Sequence, residues 1–256
     1  MTGKRKYIIL FAVLIILILV IAIFANKWRD NVQFSKITIT GNYSLNRDDI
    51  LKYAKLDQDS SINLDELNLK IIQDRISKNP EIKKVYVSKE PPSELKIDII
   101  EKRPVALLNI NNELKLIDEE LEIFAFKNYQ KLYDLPVITG YNIKYIQAAD
   151  SIKNSENIRT ALFIVLNAYQ RSKTLYNLIS EINIADSSRL IVYSNENSAQ
   201  FYFPKYKEKN ISDKSYRTEL IETLVKFNAF HYQTSIKENI VYVDLRFNNQ
   251  AVVKYN

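Results

Sequence analysis

The 256-residue chain has no cysteine, one histidine, one tryptophan and only three glycines. Without cysteine there can be no disulfide, thiolate nucleophile or thiolate metal site. A single imidazole, His231, leaves no histidine ligand set and no His-based acid–base pair. Gly3, Gly41 and Gly140 are too scattered for a glycine-rich phosphate cradle. An excess of one charge is also missing from most of the chain. The formal net charge is +6, but Lys4, Arg5, Lys6, Lys27 and Arg29 supply +5 of it. From residue 30 onward 31 basic groups face 30 acidic ones. Nucleic-acid binding normally shows as a basic stripe, so no nucleic-acid partner is expected.

What the chain does have is a long apolar run. Residues 7–25, YIILFAVLIILILVIAIFA, carry no charge and no proline. As a helix at ~1.5 Å per residue the run is about 28 Å long, close to the roughly 30 Å of a bilayer's hydrocarbon core. Basic residues flank it on both sides. It exceeds the usual 7–15 residues of a signal peptide's apolar region, and the I-F-A at its end is a poor cleavage site. The expectation is a retained anchor over 7–25, a cytoplasmic tail over 1–6, a linker over 26–33 and an exported remainder.

Residues 34–103 read as one α+β unit. FSKITITG alternates and ends at the turn signal Gly41-Asn42. A short helix follows, with Asn46 as N-cap, then a second with Asp65 as cap and an apolar stripe of Leu67, Ile71, Ile72 and Ile76. Asn79-Pro80 ends it. Two strands complete the unit, with Val85 and Val87 on one, Leu95, Ile97 and Ile99 on the other, and Pro91-Pro92 turning the chain between them. Residues 104–256 predict a second α+β unit on a mostly antiparallel sheet. It holds the strands VALLNI, ELKLID, LEIFAF, LPVITG, ISEINIAD, RLIVYSN and SAQFYFP, and two covering helices beginning near residues 156 and 212.

The chain ends with IVYVDLRFNNQAVVKYN, two alternating segments around a polar turn. A three-residue loop, Asn248-Asn249-Gln250, would set Phe247 opposite Ala251, Leu245 opposite Val253 and Val243 opposite Tyr255, all on one apolar face. A two-residue loop would break that face, and register is set by whichever face is buried. The cost is a left-handed conformation at Gln250. The final strand then offers an unpaired edge. From the residues alone it is either a solvated edge, protected by its shortness and by Lys254, or a site for an added strand, with Arg246 free to take a partner's carboxylate.

Other motifs carry less. Ser93-x-x-Lys96 spans the entry to a strand, where i and i+3 point to opposite faces, and no K-T-G completes a penicillin-binding set. His231 lies beside Phe230 and Tyr232 and reads as a packing residue. Asp118-Glu119-Glu120 is a solvated turn with too few ordered oxygens for Ca²⁺. The Lys205-x-Lys207-x-Lys209 run is a solvated face, with an acidic partner or lipid as the alternative.

A set of these residues resembles the FtsQ/DivIB bacterial cell-division proteins. It comprises Gly41-Asn42 after the first strand, Asn79-Pro80 followed by Ile82, Val85, Val87, Pro92, Leu95 and Ile97. Glu101-x-Arg103-Pro104-x-Ala106 follows, then LKLID at 114–118, LPVIT at 135–139 and VDLRF before AVV. The chain departs from the pattern at Phe201–Pro204 and at Gln250, where glycine is common, and at Tyr255, where tryptophan is. The resemblance implies a single-pass, N-in protein of the bacterial inner membrane at the division septum. Its exported part would comprise a POTRA domain and a β domain, and it would use no cofactor and act as a scaffold, not an enzyme. It implies that the final strand pairs with a strand of a small coiled-coil FtsB-like protein, alongside an FtsL-like one, while the POTRA domain meets other division proteins. The expected partner-binding residues are Arg246, Phe247, Asn249, Gln250, Ala251, Val252, Val253, Lys254 and Tyr255, with Lys205 as an outlying candidate. The competing readings are a membrane-tethered cell-wall enzyme, which lacks a complete catalytic set, and a membrane-tethered POTRA chaperone or envelope-assembly factor, which would normally repeat the POTRA unit.

Overall fold

Separate clusters of buried aliphatic side chains divide the chain into two compact units, Met1–Glu101 and Lys102–Asn256. The computed structural model describes residues 3–29, 36–56, 67–90, 93–125, 133–141, 155–196, 199–233 and 240–256. Helix α1 runs from Gly3 to Arg29. Its described side chains, Tyr7 and those of residues 10–25, are all exposed. Among the described residues no helix is long and apolar enough to cross a membrane.

In the first unit, strand β1 (Lys36–Thr40) is followed by α2 (Arg47–Ala54), α3 (Leu69–Ile76), β2 (Ile82–Glu90) and β3 (Glu94–Glu101). β3 lies in the middle, parallel to β1 and antiparallel to β2. Asn46 caps α2 as expected, its side chain accepting from the Asp48 N–H. The cap of α3 is Asn68, which accepts from the Ile71 N–H, whereas the expected cap Asp65 lies outside the described residues. Alternation on the strands puts Val85, Leu95, Ile97 and Ile99 against Ile50, Leu51, Ile72 and Ile76. Pro91-Pro92 and Phe34 lie outside the described residues.

Two junction residues explain themselves here. Gly41 has φ +77°, and a Cβ on it would sit 2.0 Å from the Ile99 carbonyl oxygen, so the turn admits only glycine. Glu101, the acid of the E-x-R-P junction, accepts hydrogen bonds from the N–H groups of Ser44 (3.0 Å) and Leu45 (2.9 Å) and from the Ser44 hydroxyl. It ties the β1–α2 loop to the end of β3.

The second unit contains β4 (Pro104–Ile110), β5 (Glu113–Asp118), β6 (Ile123–Phe124), β7 (Val137–Tyr141), α4 (Glu156–Arg171), α5 (Lys173–Leu178), β8 (Ile179–Asn183), β9 (Arg189–Ser194), β10 (Gln200–Pro204), α6 (Lys214–Gln233), β11 (Ile240–Asp244) and β12 (Val252–Tyr255). The strands form one sheet in the order β12-β11-β10-β9-β8-β7-β4-β5-β6. Antiparallel pairings predominate, but β4/β7, β7/β8 and β10/β11 are parallel. Two of these follow from the helices: a strand–helix–strand crossover returns the chain in its starting direction. The helix expected over 156–172 breaks at Ser172, whose hydroxyl caps a second, short helix by accepting from the Leu175 N–H at 3.0 Å.

On the helix side, Ile158, Leu162 and Val165 of α4 and Tyr216, Leu220, Leu224 and Phe227 of α6 pack on the strands. Phe227 meets Phe201 edge-on with ring centroids 4.8 Å apart, and Phe203 at 6.0 Å, which seats α6 over β10. The opposite face of the sheet carries a smaller cluster of Leu107, Leu116 and Phe124.

Candidate functional site

The last strand of the sheet, β12, hydrogen-bonds to β11 alone among the described residues, so its other edge is unpaired. The register corrects the expected one. Val243 pairs with Val253, Asp244 with Val252 and Tyr242 with Lys254, two residues out of step with the three-residue loop. A shift of two preserves which side chains face the core. Val243 and Leu245 remain fully buried, and Val253 packs against them from the edge. The reason for the longer loop is local. Leu245 stays with β10, its N–H donating to the Tyr202 carbonyl at 3.1 Å. The left-handed position falls on Asn249 (φ 58°), not Gln250; asparagine takes that conformation more readily than most residues.

Three further contacts brace this hairpin. The Lys226 ammonium, on α6, donates to the carbonyls of Leu245 and Phe247, both at 2.9 Å. Asp244 and Arg246 form a bidentate pair, Nε to Oδ1 at 2.9 Å and Nη2 to Oδ2 at 2.6 Å, and the Arg246 N–H donates to Oδ1 as well. Burial pushes the Asp244 pKa up, but the Arg246 hydrogen bonds and charge outweigh it and hold the carboxyl below its usual range. On the face away from the helices, Arg189, Tyr202, Tyr242 and Lys254 stack across four strands. The Arg189 guanidinium carbon lies 4.1 Å from the Tyr202 ring centroid, Tyr202 stacks on Tyr242 at 4.8 Å, and Lys254 Nζ is 5.9 Å from the Tyr242 ring.

The expected site residues therefore divide. Val252, Lys254 and Tyr255 lie exposed on the edge strand, and Val253 is half-buried beside them. Phe247, Asn249, Gln250 and Ala251 form the exposed turn. Arg246 does not present a free fork, because Asp244 occupies it. Lys205 is turned inward: its ammonium donates to the carbonyls of Ile184 (2.8 Å) and Asp186, and burial lowers its pKa. It holds the β8–β9 turn. Sequence reasoning missed Lys226, Tyr202, Tyr242 and Arg189. The signals were a lysine inside an apolar helical stretch, TLVKFNAF, and tyrosines at alternate strand positions.

The motifs set aside have structural places. His231 is buried among Phe201, Phe227 and Phe230, its Nδ1 3.2 Å from Glu196 Oε2. Lys96 pairs with Asp98 at 3.1 Å. Asp118 Oδ1 accepts from the N–H groups of Glu120 and Glu122, closing the β5–β6 turn. Among the described residues no cluster of His, Asp or Glu is arranged to hold a metal ion. What the hairpin edge offers is main-chain pairing with side-chain selectivity on both faces.

Both units match known protein families. Residues 106–246 match the family description "Cell division protein FtsQ/DivIB, C-terminal", and residues 32–102 match "POTRA domain, FtsQ-type". The chain belongs to the FtsQ/DivIB family. Similar proteins include the cell division protein FtsQ of Rickettsia bellii, 39% identical over 88 residues, a match covering 34% of this chain and 32% of the relative. The chain thus spans about a third of the length of the Rickettsia relatives it matches. FtsQ of Geotalea daltonii is 23% identical over 222 residues, covering 87% of this chain and 75% of the relative. FtsQ of Blochmanniella floridana is 26% identical, with 96% and 86% covered. The FtsQ/DivIB C-terminal match stops at Arg246, just where the chain enters the turn before β12.

Proposed function

We propose that this FtsQ/DivIB protein is a non-enzymatic, membrane-anchored scaffold of the division machinery. In this reading a strand of a small coiled-coil, FtsB-like membrane protein is added to the open edge of β12, with an FtsL-like protein beside it. The observation that carries it is the unpaired ladder of β12 on a braced hairpin. A partner strand there gains several main-chain hydrogen bonds, each net about 0.5–1.5 kcal/mol, and Val252 and Tyr255 add apolar contact. The POTRA unit meets other division proteins at the septum. The anchor in this reading is the apolar run 7–25 of the sequence, longer than the continuous stretch of described side chains in α1, with the basic N-terminus in the cytoplasm and both units exported. Its described side chains from Leu10 to Ala25 are apolar and exposed all round the helix, and a helix apolar on every side needs an apolar surrounding.

The test uses the full chain and a copy truncated after Asn249, both in detergent micelles, mixed with purified small coiled-coil division proteins of the same host. Binding to the full chain and its loss on truncation supports strand addition. Equal binding to both moves the site off β12, and no binding to either removes the scaffold reading.

A further inference from the structure

Resting on the strand-addition reading above, we propose that the docking surface extends onto the helix side. There the groove between α6 and the hairpin turn receives apolar side chains of the added strand. The partner segment is then an extended one with an apolar residue at every second position. The groove, about 620 Å³, has Ile221, Val225, Ala229 and Phe230 along one wall, Asn248 to Ala251 along the other and Arg171 at its end.

The sheet geometry explains why this space is open. Helix α6 sits over β10 through Phe227. Strands are spaced ~4.8 Å apart, so β12 lies about 10 Å to the side of β10 and an added strand about 14 Å. A helix with its side chains is about 10–12 Å wide and reaches only ~5–6 Å sideways from its axis. The helix side of β12 and of anything beyond it is left uncovered. Alternation then fixes which side chains rise into the gap. Val253 packs toward the core, so Ala251 and Tyr255 share its side, while Val252 and Lys254 face away. An antiparallel neighbour repeats this alternation, with residues opposite each other on the same face.

Apart from the charged Arg171, Glu222 and Lys226 and the side-chain amides of the turn, the lining of the groove is apolar. Val225 is 47% exposed although Leu224 and Phe227 beside it are buried. Of the two cations in the lining, Lys226 already donates to the Leu245 and Phe247 carbonyls, and Glu222 opposes the charge of Arg171. An acidic side chain there would have to compete with those two carbonyls, whereas a leucine or valine would cover Val225 and Ala229 and remove their apolar surface from water.

A tethered strand tests this without an unidentified partner. A glycine added after Asn256 makes an Asn-Gly turn, which fixes the register of a following strand. Two extensions of equal composition follow it: Leu-Thr-Leu-Thr, whose leucines oppose Tyr255 and Val253 and face α6, and Thr-Leu-Thr-Leu, whose leucines face the other way. Hydrogen exchange of the β12 amides is measured for the full chain in detergent micelles, unextended and with each extension, in wild type and Val225→Asp. The expected result is about ten-fold greater protection from Leu-Thr-Leu-Thr than from Thr-Leu-Thr-Leu, a decade being what partial burial of a leucine supplies. Val225→Asp should remove that difference. Equal protection from both extensions overturns the groove and leaves strand addition standing, as does a difference that survives Val225→Asp. Protection by neither extension overturns strand addition itself, and the groove with it.

Discussion

Replacing Lys226 with methionine should loosen the hairpin without unfolding the sheet. The ammonium donates two hydrogen bonds of 2.9 Å, to the carbonyls of Leu245 and Phe247. A hydrogen bond to a charged group is worth about 1.5–3 kcal/mol net when its partner is otherwise unsatisfied. The two carbonyls differ. Phe247 is 44% exposed, so its oxygen can turn to water when the lysine is gone. Leu245 is fully buried, and its carbonyl bears most of the loss. About 2 kcal/mol in total is therefore expected, and methionine keeps the apolar stem, so the packing of α6 on the hairpin changes little. That energy corresponds to roughly 30-fold faster exchange of the protected amides in the hairpin. The assay is hydrogen exchange resolved by peptide on the full chain in detergent micelles, comparing residues 240–256 with residues 82–101. Lys226→Arg keeps the charge and should recover a large part of the protection. Exchange in the hairpin within two-fold of wild type would refute the bracing role. So would an acceleration spread equally to the first unit, since that marks a global effect.

Three further outcomes follow from other contacts. Gly41→Ala should destabilise the first unit by about 2–5 kcal/mol, the sum of a left-handed alanine and an overpacked turn; urea unfolding followed by exchange at β3 measures it, and a loss under 1 kcal/mol contradicts the 2.0 Å clash with Ile99. Glu101→Gln leaves one acceptor oxygen for three donors and should cost about 1–2 kcal/mol, read as faster exchange at Ser44 and Leu45 with the second unit unchanged. Asp244 has a lowered folded pKa, so its contribution is complete above the unfolded value of about 3.9 and disappears as pH falls through the lower folded value. Hairpin protection, corrected for intrinsic rates, should therefore drop below about pH 4 in wild type. In Asp244→Asn it should be weaker at neutral pH and flat across that window.

Much of the fold was legible because periodicity follows burial. Leu95, Ile97 and Ile99 alternate, and all three are buried; Asn46 is followed by two acids and caps α2. Three features differ from the sequence expectation for reasons of context. Asn68 caps α3, because either of two capping residues three apart suits the same apolar stripe. Ser172 divides the second unit's first helix, since a hydroxyl in an amphipathic stretch reads as solvated until its N-cap bond to Leu175 is seen. The expected hairpin register maximises one apolar face, and parity keeps that face right while the loop is longer. What set the loop was the Asp244–Arg246 clamp, Lys226 from a distant helix, and Asn249 in a conformation that glutamine adopts at greater cost. The D-x-R spacing is plain in the sequence, but the sequence alone leaves Arg246 equally able to take an outside carboxylate, and the structure pairs it with Asp244. Lys226 lies 19 residues from Leu245 in the chain, and no local pattern links them.

These braces also bear on which kind of edge β12 is. A solvated edge needs only blunting, and this sheet has an example at its other end, where β6 is two residues long. At β12 the structure does something different. Lys226 fixes the turn, Asp244 and Arg246 fix the exit of β11, and Arg189, Tyr202, Tyr242 and Lys254 stack the edge onto three neighbouring strands. All of these contacts lie on the inner side or the faces, and among the described residues none covers the outer ladder. Order of this kind lowers the cost of binding, because a loose four-residue strand would have to be fixed at about 1–2 kcal/mol per residue when a partner arrived. Holding β12 in place beforehand removes about 4–8 kcal/mol of that cost, comparable to the whole gain from the main-chain hydrogen bonds of a short added strand. An edge ordered this far and left unpaired suits strand addition better than solvation.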